Sequence, residues 1–356
     1  MPKRIGYLYD RLCDKGFIRL AIAEGSRGKK KRRDVKKVLA DPDIYIDRVY
    51  NLIINESYVP TPPKKKRIFE KNSQKWRDIK VVPFYPDGII QQMIVMAMKD
   101  TLMKGMYRWS CSSIPKRGNL EALRYTERAV RNDPKNTKHC LKADFKNYYG
   151  SINRATLMSM LRKKIKDKKF LRLIGIVIYS DPDPGLSIGF YINQWLANFY
   201  LEDLDRFICT LDGVAYYVRN MDDIVLLGSN KKKLHKARED ISEYALKNFG
   251  LYLKDNWQIF PVSSRGIDFV GYRIFREHTI LRKRNFLKFI RNCRKALRLI
   301  KAHRKISFRL AAGLLSRAGQ LKHCSSLKAR GKYYYPVGEK ILKDIVRKHF
   351  KTLQAA

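Results

Sequence analysis

Two apolar runs, Val214–Val218 and Ile224–Leu227, flank a short polar tip. Their residues are β-branched, aromatic or aliphatic, which predicts a strand–turn–strand hairpin buried on one face. Helical spacing dominates elsewhere. Residues 1–25 offer Leu8, Leu12, Ile18, Leu20 and Ile22 to one side, and Asp41–Asn55 offers Ile44, Ile46, Val49, Leu52 and Ile53. A turn at Pro83–Asp87 leads into a strongly apolar helix, Gly88–Met103. Further helices are expected at Leu120–Arg131, Ala155–Ile165, Asn193–Phe207 and Lys231–Phe249, the last with a mixed-charge face. Strands are expected at Gln74–Val82, Thr137–Phe145 and Lys254–Val262, with a hairpin-like element at Gly266–Ile274. From near Asn285, Phe286, Ile290, Cys293, Leu297 and Ile300 recur at alternating spacings of four and three, the stripe of a core-docked helix.

Composition changes this picture in one respect. The chain has 356 residues and 45% hydrophobic content, enough for real cores and two or three subdomains. Its 76 Lys and Arg against 33 Asp and Glu give a formal net charge of +43. Such a surplus repels itself and is best tolerated where a polyanion is the working partner. Nucleic acid is the first candidate. A membrane is disfavoured, since no apolar run approaches the roughly 18–20 residues of a spanning helix, and the first residues lack the apolar core of a signal peptide. The six cysteines are scattered without Cys-x-x-Cys spacing, which argues against structural zinc or a disulfide framework and for reduced thiols in a cytoplasm.

The charge is clustered. Gly28–Arg33 is a dense basic cluster, open to reading as phosphate contacts, an import signal or a solvated face, and Pro60–Arg67 breaks the preceding helix and enters an extended basic segment. The loop Trp109–Asn119 sets Lys116 and Arg117 ahead of a helix, which suits phosphate weakly. From Leu281 onward there are 22 Lys and Arg and only two acids, Glu339 and Asp344. Lys288, Arg291, Lys295 and Arg298 share one helical face and suit tracking along a nucleic-acid backbone.

The hairpin tip carries adjacent acids, Asp222 and Asp223. Asp is a common turn residue, so a solvated turn is the plain reading. Neighbouring carboxylates also repel unless a cation offsets them. Asp144 stands at the end of a hydrophobic strand, where a carboxylate is costly unless paired or metal-bound. A strand and a hairpin in one sheet can bring Asp144 beside Asp222.

The ordered segments Leu141–Ile152, Gly185–Asn198, Arg219–Gly228, Asn256–Gln258 and Ser264–Arg273 resemble the palm of reverse transcriptases. Within that class the chain is most similar to enzymes of bacterial and phage diversity-generating retroelements. The resemblance implies an α+β right-hand polymerase: fingers and an N-terminal extension over 1–135, a palm with an antiparallel sheet over 136–278, joined in part by the helix near 88–104, and a basic helical thumb over 279–356. It implies Asp144, Asp222 and Asp223 as catalytic residues. These acids and Phe145 would hold two Mg²⁺ ions, with Mn²⁺ as a substitute. Tyr149 matches the aromatic gate against a ribose 2′-hydroxyl. Arg77 and Lys80 are alternative triphosphate contacts, and Ile188, Gly189 and Gln194 complete the dNTP side. Asn220, Met221, Lys254, Gly271, Tyr272 and the four cations of the 288–298 stripe fall to primer and template.

The implied function is error-prone cDNA synthesis from a template-repeat RNA, in the cytoplasm of a bacterium or phage-infected cell. The partners implied are template RNA, cDNA or primer, dNTPs and a small basic oligomeric accessory variability protein. A defence-associated or retron-type reverse transcriptase and a catalytically weakened RNA-binding scaffold are the alternatives. A group II intron maturase is disfavoured, because the stretch after residue 278 leaves little room for added domains. The sequence departs from the family pattern twice. Asn220 replaces the usual aromatic before Met-Asp-Asp, and Asn193 replaces the subgroup's Ser before Gln194.

Overall fold

A computed structural model describes residues 4–70 and 75–355. Residues 1–3 of the expected first helix, Gln74 of the expected strand and Ala356 lie outside the described residues. The N-terminal stretch is two helices, α1 (Leu8–Leu12) and α2 (Lys15–Ser26), parted where the Asp14 carboxylate accepts the Phe17 N–H. Leu20 is exposed, while Leu8, Leu12, Ile18 and Ile22 are buried. The basic cluster runs into an unanticipated α3 (Arg33–Ala40), which buries Val35 and Val38. Asp41 caps α4 (Pro42–Ile54), whose buried side includes Tyr45 and leaves Ile44 outside.

An antiparallel ribbon follows, β1 (Lys64–Glu70) and β2 (Lys75–Val81), with Lys64 opposite Val81. Next come α5 (Ile89–Gly105), α6 (Asn119–Asn132) and β3 (His139–Asp144). After the short α7 (Tyr148–Ser151) and α8 (Arg154–Lys164), a helix not expected from sequence, α9 (Lys168–Ile178), buries Phe170, Ile174 and Val177. The single helix expected at Asn193–Phe207 is two, α10 (Tyr191–Tyr200) and α11 (Glu202–Thr210), broken at Leu201. Glu202, Asp203 and Asp205 favour a fresh helix N-terminus there, where their charge suits the helix dipole.

The hairpin forms as expected, β4 (Tyr216–Asn220) and β5 (Asp223–Gly228). Gly250, at φ +66°, ends α12 (Lys231–Phe249). The expected strand from Lys254 is shorter, β6 (Gln258–Pro261), because Asp255-Asn256 makes a turn first. After α13 (Val262–Arg265), β7 (Ile267–Phe269), β8 (Tyr272–Ile274) and β9 (Thr279–Leu281) form a separate three-stranded sheet. Four helices close the chain: α14 (Lys283–Lys301), α15 (Phe308–Leu321), α16 (Leu327–Ala329) and α17 (Glu339–Ala355). On α14 the fully buried line is Phe289, Cys293 and Ala296. Phe286, Ile290, Leu297 and Ile300, expected at its centre, flank it half-buried.

The central sheet, in the order β4–β5–β3–β6, is antiparallel throughout and separates two hydrophobic cores. Strand alternation sends Leu141, Ala143, Tyr217, Ile224 and Leu226 into a core shared with α1, α2, α5 and α8–α12. It sends Cys140, Val218, Val225, Leu227 and Phe260 into a core shared with α6, β7–β9 and the C-terminal helices. These cores cut across the three-way division of the chain: α6 falls in the core of the C-terminal helices, and α1–α5 fall in the core on the other face of the sheet. No helix of the described residues is long and apolar enough to cross a membrane. All six cysteines are free.

Candidate active site

Antiparallel register places Asp144 directly opposite Asp223, and Asn220 opposite Asp223 on the other side. Three polar residues therefore meet at one end of a sheet whose interior is apolar. The turn between β4 and β5 puts Met221 at φ +57°, which brings Asp222 to the same end. Asp144, Asp222 and Asp223 line one cavity of about 670 Å³. Tyr149, Ile188, Arg77 and Lys254 line it too, as does the Phe145 position. The Phe145 side chain is fully buried in the first core, so only its backbone can face a ligand.

Burial pushes the Asp222 carboxyl up to about 7, with the neighbouring Asp144 charge adding to the effect. Burial also raises Asp223, to about 6, although the Lys142 ammonium opposes the rise. Asp144 Oδ1 and Asp223 Oδ1 are buried without a hydrogen-bond partner. The other oxygen of Asp144 accepts from Lys254 Nζ, and Asp223 Oδ2 lies 3.6 Å from Lys142 Nζ. Unpartnered buried carboxylate oxygens beside ammonium groups mark a place built for positive charge. Among the described residues the acids do not close into a ready-made metal cage. That is compatible with Mg²⁺, which keeps several waters and takes much of its shell from substrate phosphates.

The hairpin tip is held from beneath. Arg219, with no exposed surface, donates from Nε and Nη2 to the two oxygens of Asp205 at 2.8 and 2.7 Å. Its Nη1 donates to the Met221 carbonyl at 2.8 Å and to Asn198 Oδ1 at 3.2 Å. The Tyr217 hydroxyl donates to Asp205 Oδ1 at 2.7 Å. No short motif in the sequence marks this brace. Its signal was a cation inside an otherwise apolar strand, which in a buried hairpin needs an acid partner.

A second brace holds the loop before α10. Ile188 O accepts from Lys80 N at 2.8 Å, which ties the loop to β2. Gly189 sits at φ +119°, and a Cβ there would collide with the Lys80 carbonyl, so the position requires glycine. Asp181, buried, accepts from Ser187 Oγ at 2.6 Å and Lys80 Nζ at 2.9 Å. Burial would raise its carboxyl, but these bonds bring it below the usual value. Asn193 Nδ2 donates to the Ser187 carbonyl at 3.0 Å, so the unusual asparagine buttresses the loop that carries Ile188.

The remaining expected residues divide. Arg77 lines the cavity and pairs with Glu70 at 2.5 Å. Lys80 instead spends its ammonium on Asp181 and on Asp183, the latter at 2.7 Å, outside the cavity. The Tyr149 ring lines the cavity, with its hydroxyl 3.7 Å from Met221 Sδ, and burial pushes that hydroxyl up to about 12. Gln194 is exposed and is not among the residues lining the cavity. Asn220 Nδ2 donates to Asn119 Oδ1 at 2.7 Å, joining the hairpin to the start of α6.

Gly271 and Val270 both have positive φ, the signature of a two-residue type I′ hairpin between β7 and β8. Tyr272 is buried, and its hydroxyl donates to the Gln320 carbonyl at 3.0 Å, so its ring serves packing against α15. Lys288, Arg291, Lys295 and Arg298 all lie on the exposed side of α14. Also missed were Lys142, which donates to the Asp268 carbonyl at 2.6 Å, and the Arg282–Asp268 pair, bonded at 2.7 Å; all three residues line the cavity.

No protein-family model matches the chain. Over 175 residues, 47% of its length, it is 25% identical to the group II intron-encoded protein LtrA of Lactococcus lactis subsp. cremoris. The match spans 28% of that protein. It is 22% identical over 270 residues to the protein YkfC of Escherichia coli (strain K12), covering 64% of this chain and 70% of that one. Among solved structures, telomerase from Candida albicans with a TWJ fragment of telomeric RNA superposes with a TM-score of 0.51 at 14% identity. That alignment covers 80% of this chain and 55% of the telomerase chain. Apo telomerase from Candida tropicalis gives a TM-score of 0.51 at 15% identity, covering 83% and 59%. The fold is thus that of a right-hand polymerase with an antiparallel palm sheet.

Proposed function

We propose that the protein is an RNA-directed DNA polymerase. The observation that carries this reading is the convergence of Asp144, Asp222 and Asp223 in one cavity with two unpartnered buried oxygens. Mg²⁺ held by these acids would lower the pKa of a primer 3′-hydroxyl and offset charge on the leaving pyrophosphate. The chain's own groups do the positioning. Arg77 meets the triphosphate at the cavity mouth, and Lys142 and Lys254 hold the carboxylates until substrate arrives. The Tyr149 ring supports the sugar. Arg219 fixes the turn that carries Asp222 and Asp223. Primer extension on an RNA template with Mg²⁺ tests the reading, and absence of dNTP incorporation by the native protein, alone or with its RNA and accessory protein, sinks it.

The finer reading is a diversity-generating retroelement enzyme, working in the cytoplasm with a template-repeat RNA and a small basic accessory protein. It rests on Ile188, an aliphatic side chain on a braced loop at the wall of the same cavity. An isoleucine beside the nascent pair offers no polar group to check the template base, which suits error-prone copying.

Two further outcomes are expected. Tyr149→Ala should raise ribonucleotide incorporation on the order of tenfold to a hundredfold, the range an apolar wall supplies against an added hydroxyl. An unchanged dNTP/rNTP ratio, measured by competitive extension, removes the gate role. Neutralising Arg291, Lys295 and Arg298 together should weaken template–primer binding and reduce its log–log salt slope by about two to three. If that slope stays at the native value, the stripe on α14 is a solvated face.

A further inference from the structure

The groove between α8 and α9 is a second built cavity, of about 690 Å³, and it shares no lining residue with the catalytic one. Its floor is apolar: Met158, Ile165 and Leu171 are buried, with Gly175 beside them. Its rim is cationic: Arg4, Arg162, Lys166, Lys168 and Arg172. No carboxylate lines it among the described residues. The one acid between Arg162 and Arg172 in sequence, Asp167, is spent on the fold, accepting from Phe170 N at 3.0 Å and Tyr9 N at 2.8 Å. Arg172 lies 3.4 Å from Glu56, whereas Arg162, Lys166 and Lys168 form no ion pair among the described residues.

Aromatic rings stand beside this rim. Tyr179 lines the groove and is 52% exposed, and the Arg154 guanidinium lies 5.5 Å from its ring. Tyr7 is 75% exposed, with Lys166 Nζ 5.6 Å from its ring. The rim is anchored: Ile5 N donates to Lys164 O at 2.9 Å and Lys166 N to Ile5 O at 2.8 Å, which fixes Arg4 and Tyr7 against α8.

A merely solvated basic face needs neither an apolar floor nor open rings. Single-stranded nucleic acid uses both, stacking its bases on rings and laying phosphates along cations, while a duplex keeps its bases inside. We propose that this groove is a second nucleic-acid site, which holds a single-stranded RNA segment outside the catalytic cavity. It does not rest on the polymerase reading, since binding needs no catalysis.

The test fills the catalytic cleft with a saturating blunt RNA–DNA duplex and then titrates a fluorescein-labelled single-stranded RNA oligonucleotide. The native protein should still bind it. Arg162→Glu/Lys166→Glu/Lys168→Glu should weaken that binding by at least tenfold and lower its salt slope by about two, from three phosphates at roughly 0.7 each. The matching triple Gln variant, which introduces no new charge, should show a smaller loss in the same direction. Tyr179→Ala should weaken binding about fivefold or more, as expected for a stacked base. Unchanged affinity in both triple variants overturns the proposal, as does no loss with Tyr179→Ala. Capture of a poly-glutamate peptide by the groove, with RNA affinity unaltered by the triple variants, overturns it in favour of an acidic protein partner.

Discussion

Asp222→Asn should abolish RNA-templated extension while RNA binding persists. Loss of a metal-ligating carboxylate forfeits several kcal/mol of transition-state stabilisation. At about 1.4 kcal/mol per tenfold, the loss is on the order of a thousandfold or more. Asp144→Asn should behave alike. Retained extension by either variant refutes the assignment of these acids. The same substitution carries a second readout, independent of activity. The Asp222 carboxyl sits at about 7 and Asp223 at about 6, both above the ordinary 3.8 of the unfolded chain. Raised acids contribute stability that is present below about pH 4 and is lost as pH rises through 6 and 7. In EDTA at pH 8 the native fold therefore carries full carboxylate repulsion, and Asp222→Asn relieves it. The variant should melt a few degrees above the native protein there, with the gap closing toward pH 4. Mg²⁺ should raise the native melting temperature and leave the variant's nearly unchanged. Equal melting temperatures at pH 8 would mean that the cluster is hydrated and unstrained.

The site was legible where its chemistry is written in short-range pattern. Two apolar runs flanking a tip of adjacent acids, and a strand ending in an acid, allowed Asp144 and Asp222 to meet at one sheet end, and the resemblance to reverse transcriptases singled out all three acids. What escaped was long-range pairing. Nothing local in Lys80 says that its ammonium goes to Asp181, 101 residues away, while Arg77 faces the cavity. Tyr272, given to primer and template by the resemblance, is instead buried with its hydroxyl on the Gln320 carbonyl of α15. The offset on α14 has the same origin: Phe286, Ile290 and Leu297 make a valid apolar stripe, but the neighbouring elements bury Phe289 and Ala296 more deeply. In both cases the tertiary neighbour, absent from any local window, decides which face is inside. Asn220 is resolved in kind: its partner is Asn119, at the start of α6, so the missing aromatic is replaced by a link between hairpin and helix.

That hairpin depends on Arg219, a residue to which the resemblance assigns no catalytic or binding role. Arg219→Met should cut extension more than a hundredfold, although Arg219 touches no substrate. The side chain is fully buried, and removing it leaves Asp205 charged in the core with only the Tyr217 hydroxyl beside it, at about 3–5 kcal/mol. Destabilisation by itself would look merely structural. The double variant Arg219→Met/Asp205→Asn separates the two effects. It removes both charges and keeps an acceptor for the Tyr217 hydroxyl, so most of the lost melting temperature should return. The Met221 carbonyl, however, still lacks its donor at the turn held at positive φ. Extension should therefore remain low in kcat, with KM for dNTP close to native, because the carboxylates are displaced while the Arg77 side of the cavity is untouched. Sub-ångström placement of acids governs how well they share a cation. If kcat recovers along with stability in the double variant, the Arg219–Asp205 bridge is only a strut of the core.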